Sequence, residues 1–422
     1  MKPIKRINSL NKAFFAVVFV LSAYAAYAET LYVVNSQSRT LSKIDTSTDA
    51  VNNSFAALGS VPNKIVVDTD YIWSVNSGDN AVQKISRTTG ATLANIFVGA
   101  SSNPWDAVKH QENLYVSGLF TGKVYRINTI SGAVTGSVTV GTAPEALHVV
   151  GNKLYVTNAG SYAQNYAGSS VSVIDISSFS VQSTIPVNAN PQYLASANGM
   201  LHVSCTGNWT DVAGAVCIID TVTDTVIHTV NTGGTPGCLW LASTELALVA
   251  DSNGTNLFSY NTSTYQLLHG VSNPLSNGGS EVVGNSTFVA VLSPNWGENG
   301  TVKLLHADLS PWKQYSVALM PTDMKLGSSA SGNEDLLTAV NSLIAYPNPV
   351  RQGSALKFSG FIAMHGELGI FNLKGQKVAS YPFVGKEISV PELNLPSGLY
   401  FYRVRDDKAG GDTSVGKFLI LK

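Results

Sequence analysis

Apolar and polar positions alternate with a period of two along most of this chain, in runs of about five residues that come in pairs. Residues 154–158 (LYVTN) followed by 171–175 (VSVID) form the clearest pair. Their β-branched and aromatic side chains read as two half-buried strands, and the polar stretch between them as a hairpin loop. The pair recurs at 31–35 with 41–45, 71–76 with 81–85, and 114–117 with 123–128. Weaker copies lie at 201–205 with 216–220, 246–251 with 257–261, and 288–291 with 302–306, which makes seven. After each hairpin comes a further strand, a turn with Gly or Asn, and then a proline opening an apolar run. These prolines are Pro62, Pro104, Pro144, Pro191, Pro236 and Pro321, with Gly279 where one is missing. Their successive spacings of 42, 40, 47, 45, 43 and 42 residues, counted through Gly279, define a four-stranded repeat without helical periodicity. That pattern predicts an all-β fold, a seven-bladed β-propeller over residues 29–326. Proline as the first residue of a strand costs no ladder hydrogen bond. Because the first blade begins at its second strand, residues 321–326 are expected to supply its innermost strand, pair with 31–34 and close the ring.

The Pro-led strand, LYVTN, VSVID and TIPV (residues 184–187) together resemble the YVTN-type β-propeller repeat family across residues 29–326. The resemblance implies a scaffold, and a scaffold alone does not name an activity.

The two ends of the chain carry different signals. Lys2, Lys5, Arg6 and Lys12 precede the apolar run 13–21, and Ala26, Tyr27 and Ala28 form a small-residue cleavage site. Residues 1–28 therefore read as a secretory signal peptide. The run falls short of the roughly twenty residues a membrane span needs, so no transmembrane segment is expected in the mature chain. Residues 327–341 open as a small polar linker (GSSASGNED). Residues 342–422 then carry sandwich-type strands at 367–373, 376–381, 398–405 and 415–421, with Lys374 and Gly375 supplying a turn. This predicts a small Ig-like β-sandwich. Its motifs are Tyr346-Pro347-Asn348-Pro349, the hairpin 368–378, the PSGLYFYR stretch with Gly398, Tyr400 and Arg403, and a terminal run with Gly416, Lys417 and Lys422. Together they resemble a type IX secretion sorting domain of type A. The resemblance implies type IX secretion machinery as a partner, and a secreted or outer-surface destination.

Composition narrows the function classes. Only 13% of residues are charged and the net charge is −1, with no Lys/Arg cluster outside the leader, so nothing marks a nucleic-acid or anionic-lipid footprint. The sequence contains no haem-attachment CxxCH, no nucleophile elbow, no phosphate loop and no zinc-type Cys/His spacing, and no cofactor is expected. Cys205 and Cys217 sit on paired strands and can bridge in an oxidising compartment, while the alternative is that they and Cys238 pack as thiols.

Propeller ligands sit where the innermost strands begin. The residue after each proline-type marker gives a ring of Asn63, Trp105, Glu145, Gln192, Gly237, Ser280 and Thr322, and the next position adds Lys64, Asp106, Tyr193, Glu281 and Asp323. Loops of unequal length overhang this ring, the longer ones at 159–170, 206–215 and 293–300 carrying Tyr162, Tyr166, Trp209 and Trp296. Aromatic faces mixed with amides and acids suit sugars or peptides, although the same aromatics can plug gaps between blades. Trp105, Glu145, Gln192, Tyr162, Tyr166, Trp209, Glu281 and Trp296 are thus the candidate binding residues, at a mouth formed by blades four, five and seven. The reading is a surface-destined propeller that binds a glycan or a surface protein. Two alternatives stand beside it: a lactonase, lyase or glycosidase using carboxylates among Glu145, Asp211, Glu281, Glu298 and Asp323, or a structural surface-layer protein.

Overall fold

The computed structural model describes residues 29–327 apart from 255 and 296, together with 344–346, 350–359, 365–372, 376–384, 388–390, 394–406 and 412–421. Residues 1–28 and 328–343, the Pro347–Pro349 part of the motif at 346–349, Lys374 and Gly375, Trp296 and Lys422 lie outside the described residues.

Seven four-stranded antiparallel sheets follow one another along the chain. Blade four shows the pattern: Pro144–Val150, Lys153–Asn158, Ser170–Asp175 and Ser180–Pro186 pair in sequence order. The innermost strand of every blade neighbours those of the two flanking blades, and the set closes on itself into a ring. A blade packs against a neighbour on both faces, which is why its second strand is buried at nearly every position, as in Lys153–Asn158 and Tyr71–Asn76. The outermost strands are half exposed, as in Val134–Thr139. The hydrophobic core is therefore not central but divided between blades. Tyr155, Val171, Leu201 and Cys217 fill one gap; Trp73, Val82, Leu114 and Tyr125 fill another.

Local polar contacts explain the repeating letters. The Asn that ends LYVTN-type strands is buried and donates its amide across the hairpin: Asn158 to Ser170 and Ser172, Asn76 to Gln83, Asn35 to Thr40 and Ser42. The Asp that ends VSVID-type strands accepts backbone N–H groups two or three residues on, as Asp45 does from Ser47 and Thr48 and Asp220 from Val222 and Thr223. Such Asx turns reverse the chain into the outer strand.

Ring closure follows the expected pairing. Pro321–Leu326 lies antiparallel to Thr30–Asn35, with Val33 opposite Met324 and Leu31 opposite Leu326. Leu31, Val33 and Ile44 from the start of the chain share a core with Leu292, Val302, Tyr315 and Met324 from its other end. Asp323, fully buried, accepts the Ile65 N–H of blade two at 2.8 Å, and Tyr315 donates to Asp49 at 2.6 Å. Gly300 lets the closing proline dock, since a Cβ there would meet Pro321 Cγ at 2.3 Å.

In the C-terminal unit a three-stranded sheet (Ile344–Tyr346, Leu356–Ser359, Ile388–Val390) accompanies a five-stranded one (Val350–Arg351, Asp412–Leu421, Gly398–Asp406, His365–Phe371, Lys377–Val384). Their shared core holds Val350, Leu356, Leu368, Ile370, Val390, Tyr400, Tyr402, Phe418 and Ile420. The four longest strands coincide with those read from the sequence. The short strands at 344–346, 350–351, 356–359 and 388–390 carry too few residues for their alternation to stand out.

Removing residues 320–326 from the full chain is expected to expose the edge of Thr30–Asn35 and abolish a single cooperative melt, with aggregation seen by light scattering. A truncated protein that melts and stays soluble like the parent contradicts this closure.

Candidate functional site

A shared distortion positions the site. In six blades the register between the first and second strands slips immediately after the proline, between Pro62 and Lys64, Pro104 and Ala107, Pro144 and Leu147, Pro191 and Tyr193, Pro236 and Leu239, and Pro321 and Asp323. A bulge of this kind turns side chains away from the ladder. Here it delivers the one or two residues after each proline to the lumen. Blade seven lacks the proline, and its innermost strand begins at Glu281, opposite Leu292, whose carbonyl also accepts the Ser280 N–H. The resulting central cavity has a volume of 440 Å³ and is lined by Trp105, Glu145, Gln192, Lys64, Glu281 and Lys325, among others.

The inner tier is a bonded network across the lumen. Lys64 of blade two reaches Glu281 of blade seven at 2.7 Å, the Tyr193 hydroxyl of blade five at 3.2 Å and Asp323 of blade one at 3.5 Å. Its ammonium also lies 4.5 Å from the Tyr193 ring centroid, a cation–π contact. Tyr193 donates to the same Glu281 oxygen at 2.8 Å, and Lys325 donates to Asp323 at 2.8 Å. Burial works against the charge of Lys64, but Glu281, then Tyr193 and Asp323, outweigh it and hold the ammonium well above its ordinary range. Burial likewise pushes Asp323 up, and Lys325 and Lys64 more than reverse it. Asp106 is tied only by backbone, accepting from Ala107 at 2.8 Å and Leu147 at 3.3 Å. Burial raises it to about 6 against the pull of Lys64 and Lys325.

The outer tier sits at the blade-four side of the mouth. Glu145 is 7% exposed, and burial pushes it up to about 8, opposed by Lys64 and by a hydrogen bond from Trp105, and reinforced by Asp106. Two long loops close over it. In the first, Tyr162 is 79% exposed and its ring packs edge-on to Tyr166, with centroids 5.7 Å apart. In the second, Asn208 caps its own turn by accepting from the backbone of Thr210, Asp211 and Val212. The loops are joined, since Asn208 donates to Asn165 at 2.6 Å and Trp209 hydrogen-bonds the Tyr166 hydroxyl. Tyr166 and Trp209 both adopt left-handed backbone, at φ +61° and +66°. Bulky residues avoid that region, and holding one there costs about 1–3 kcal/mol. Trp209 nevertheless remains 43% exposed.

Of the residues expected to bind, Trp105, Glu145, Tyr162, Tyr166 and Trp209 gather on one side of the mouth. Gln192 lines the cavity beside them, braced by Asn190 and Thr206. Glu281 is not a mouth residue but a buried partner of Lys64, and Trp296 lies outside the described residues. Among the carboxylates considered for catalysis, Asp211 is occupied by Asn208 and Thr210, Glu298 is exposed, and Glu281 and Asp323 are neutralised by lysines. Of that set Glu145 is left in the lumen, where its neighbour is Asp106, a ring position not counted among the catalytic carboxylates. Lys325 escaped the sequence reading, which stopped two residues past each proline. The period-two rule carries the face of Asp323 one step further to Lys325, and that was the available signal.

Cys205 and Cys217 are free buried thiols, with sulfurs 3.9 Å apart and Cys205 donating to Cys217. Cys205 stands opposite Ala215 and Cys217 opposite Val203, so the two are diagonal and not direct cross-strand neighbours. Diagonal positions lie farther apart than a relaxed bridge spans. Cys238 faces the channel and donates to the Val282 carbonyl.

In the C-terminal unit Gly398, Tyr400 and Arg403 share one strand, and Gly416 and Lys417 lie on its antiparallel partner, Asp412–Leu421. Tyr400 is buried and donates to the Pro396 carbonyl at 2.9 Å, and the Arg403 guanidinium lies 5.2 Å from the Phe371 ring centroid. Tyr346 ends the strand Ile344–Tyr346.

Comparisons with known proteins agree with this architecture. Residues 344–420 match the family model described as the secretion system C-terminal sorting domain. No curated protein matches the chain. Among solved structures, the Kuenenia stuttgartiensis hydrazine synthase superposes with a TM-score of 0.51 at 13% identity, covering 62% of this chain and 88% of that one. Apo AztD from Citrobacter koseri gives 0.48 at 10% identity, covering 71% and 98%. At 13% identity the likeness to the hydrazine synthase concerns the fold alone. The chain is a seven-bladed β-propeller with a type IX secretion sorting domain at its C-terminal end.

The carboxyls make stability pH-dependent. Folded Glu145 keeps its proton to about 8, against 4.5 for an ordinary glutamate, so between those values the folded chain binds more protons than the unfolded one. Stability therefore falls as pH rises through that window. Asp106 acts in the same sense between 3.8 and about 6. Asp323 acts oppositely: its contribution is present above 3.8 and is lost only as pH falls through its lowered value. The melting temperature is expected to decline from mildly acidic to mildly alkaline pH, and Glu145→Gln to flatten the upper part of that decline. An unchanged slope in the variant, read by scanning fluorimetry, would show that Glu145 does not titrate as described.

Proposed function

We propose that this propeller is carried to the cell exterior by its sorting domain and there binds a glycan at the mouth over blades four and five. The observation that carries the reading is the clustering of the loop aromatics Tyr162, Tyr166 and Trp209 beside Glu145, which with Trp105 lines the cavity. Exposed rings of Tyr162 and Trp209 can stack on sugar faces. Gln192 and a protonated Glu145 can exchange hydrogen bonds with hydroxyls. A low surface charge suits a neutral polymer better than a charged partner.

The repeat itself is of the YVTN type on this reading, and residues 1–28 are a signal peptide that delivers the chain to the periplasm before type IX export. A second reading, hydrolysis or lyase chemistry, draws on Asp106 and Glu145, adjacent carboxyls of which the second keeps its proton near neutral pH. Such a pair can divide the roles of base and acid.

Binding to a glycan array by the full chain is expected to fall at least about tenfold in Trp209→Ala with Tyr162→Ala, a loss of roughly 1.4 kcal/mol or more, without change in melting temperature. Capture of proteins but no glycan, or binding that the double variant leaves intact, contradicts the glycan reading. Cleavage of an array member that Glu145→Gln abolishes would select the catalytic one. Separately, replacing the terminal residues 417–422 is expected to retain the protein inside the cell envelope, and unimpaired appearance in the medium would count against the sorting role.

A further inference from the structure

The inner tier of the channel is unbalanced in two respects. Three carboxylates, the cavity-lining Asp106 and Glu281 and the fully buried Asp323, gather around two ammoniums, Lys64 and Lys325, while Lys109, which also lines the cavity, is paired with Asp68 at 3.6 Å. Asp323 is satisfied by both lysines and by the Ile65 N–H. Asp106 receives only backbone donors. The second imbalance is at Glu281. Its Oε1 accepts from both Lys64 and Tyr193, while its Oε2, on a residue only 1% exposed that lines the cavity, has no hydrogen-bond partner among the described residues. A buried carboxylate oxygen left without a donor is costly to the fold.

We infer that the channel interior is a second binding site, separate from the aromatic mouth, for a ligand that presents a primary ammonium group. Its N–H donors satisfy Glu281 Oε2, and its charge offsets the carboxylate that the two lysines leave uncompensated. The tier already shows that it favours such a group, because the Lys64 ammonium rests there on Glu281, on the Tyr193 hydroxyl and against the Tyr193 ring. A cavity of 440 Å³ leaves room for a small amine or for one amino-sugar unit entering from the mouth. An anionic ligand would face Glu281 and Asp106. A bare metal ion would have to draw Glu281 away from Lys64, leaving a buried ammonium short of a partner.

The test is titration calorimetry on the full chain at about pH 7, below the α-amino range of about 7.7–8.0, where both amine probes are mostly charged. The probes are ethanolamine, its N-acetyl derivative, glucosamine, N-acetylglucosamine, and potassium and calcium chlorides. Saturable binding of ethanolamine or glucosamine, without binding of the acetylated counterparts, is expected. Glu281→Gln should weaken it at least about tenfold, as for the loss of one charge-assisted hydrogen bond. Asp106→Asn keeps the inner ion pairs and should weaken it several-fold, so the inference remains testable if Glu281→Gln fails to fold. Ethanolamine binding alone identifies a free-amine site, and glucosamine binding alone an amino-sugar site. Equal binding of amine and acetylated forms, binding of a metal ion but no amine, absence of binding by every probe, or affinity unchanged in Asp106→Asn overturns it. Because ethanolamine is not a glycan, this result is independent of whether the mouth binds sugars.

Discussion

The pairing of Thr30–Asn35 with Pro321–Leu326 is the constraint on which the rest depends. A propeller stores its core between blades, so a blade without a neighbour exposes a full apolar face and a sheet edge together. Closing the ring at the chain ends removes both costs at once. It also brings Asp323 and Lys325 into the lumen, where they complete the network that Lys64 and Glu281 begin. Latch and channel chemistry share the same strand.

Function is layered onto that scaffold by small departures from regularity. The slip after each proline, itself a regular device, converts strand residues into lumen residues. Blade seven lacks the proline, and there Glu281 is buried and half satisfied. The loops of blades four and five depart in length, and their aromatics are set at an energetic cost around Glu145. Packing forces the repeated positions, whereas the unrepeated ones face the cavity.

This division also explains what could be read from the sequence. Strand alternation, the forty-residue spacing and the missing innermost strand of the first blade all follow from burial on two faces, and burial writes directly into residue type. The ring of positions after each proline was legible for the same reason. The state of those residues was not. Glu281 resembled an exposed acid by its position, yet its environment is fixed by Lys64, more than two hundred residues earlier, and by Tyr193. Tyr166 and Trp209 were recognisable as loop aromatics, while the hydrogen bond that joins their loops runs between different blades, from Asn208 to Asn165. The diagonal placement of Cys205 and Cys217 depends on a register that residue types alone do not state.

Hydrogen–deuterium exchange followed by mass spectrometry tests the central claim most directly, because it reads the latch without altering it. Peptides spanning 30–35 and 321–326 should be protected together, to the same degree as the innermost strands Pro144–Val150 and Pro191–Ala197. Rapid exchange at 321–326, while those strands remain protected, would show a ring that is not closed where the two ends of the chain meet.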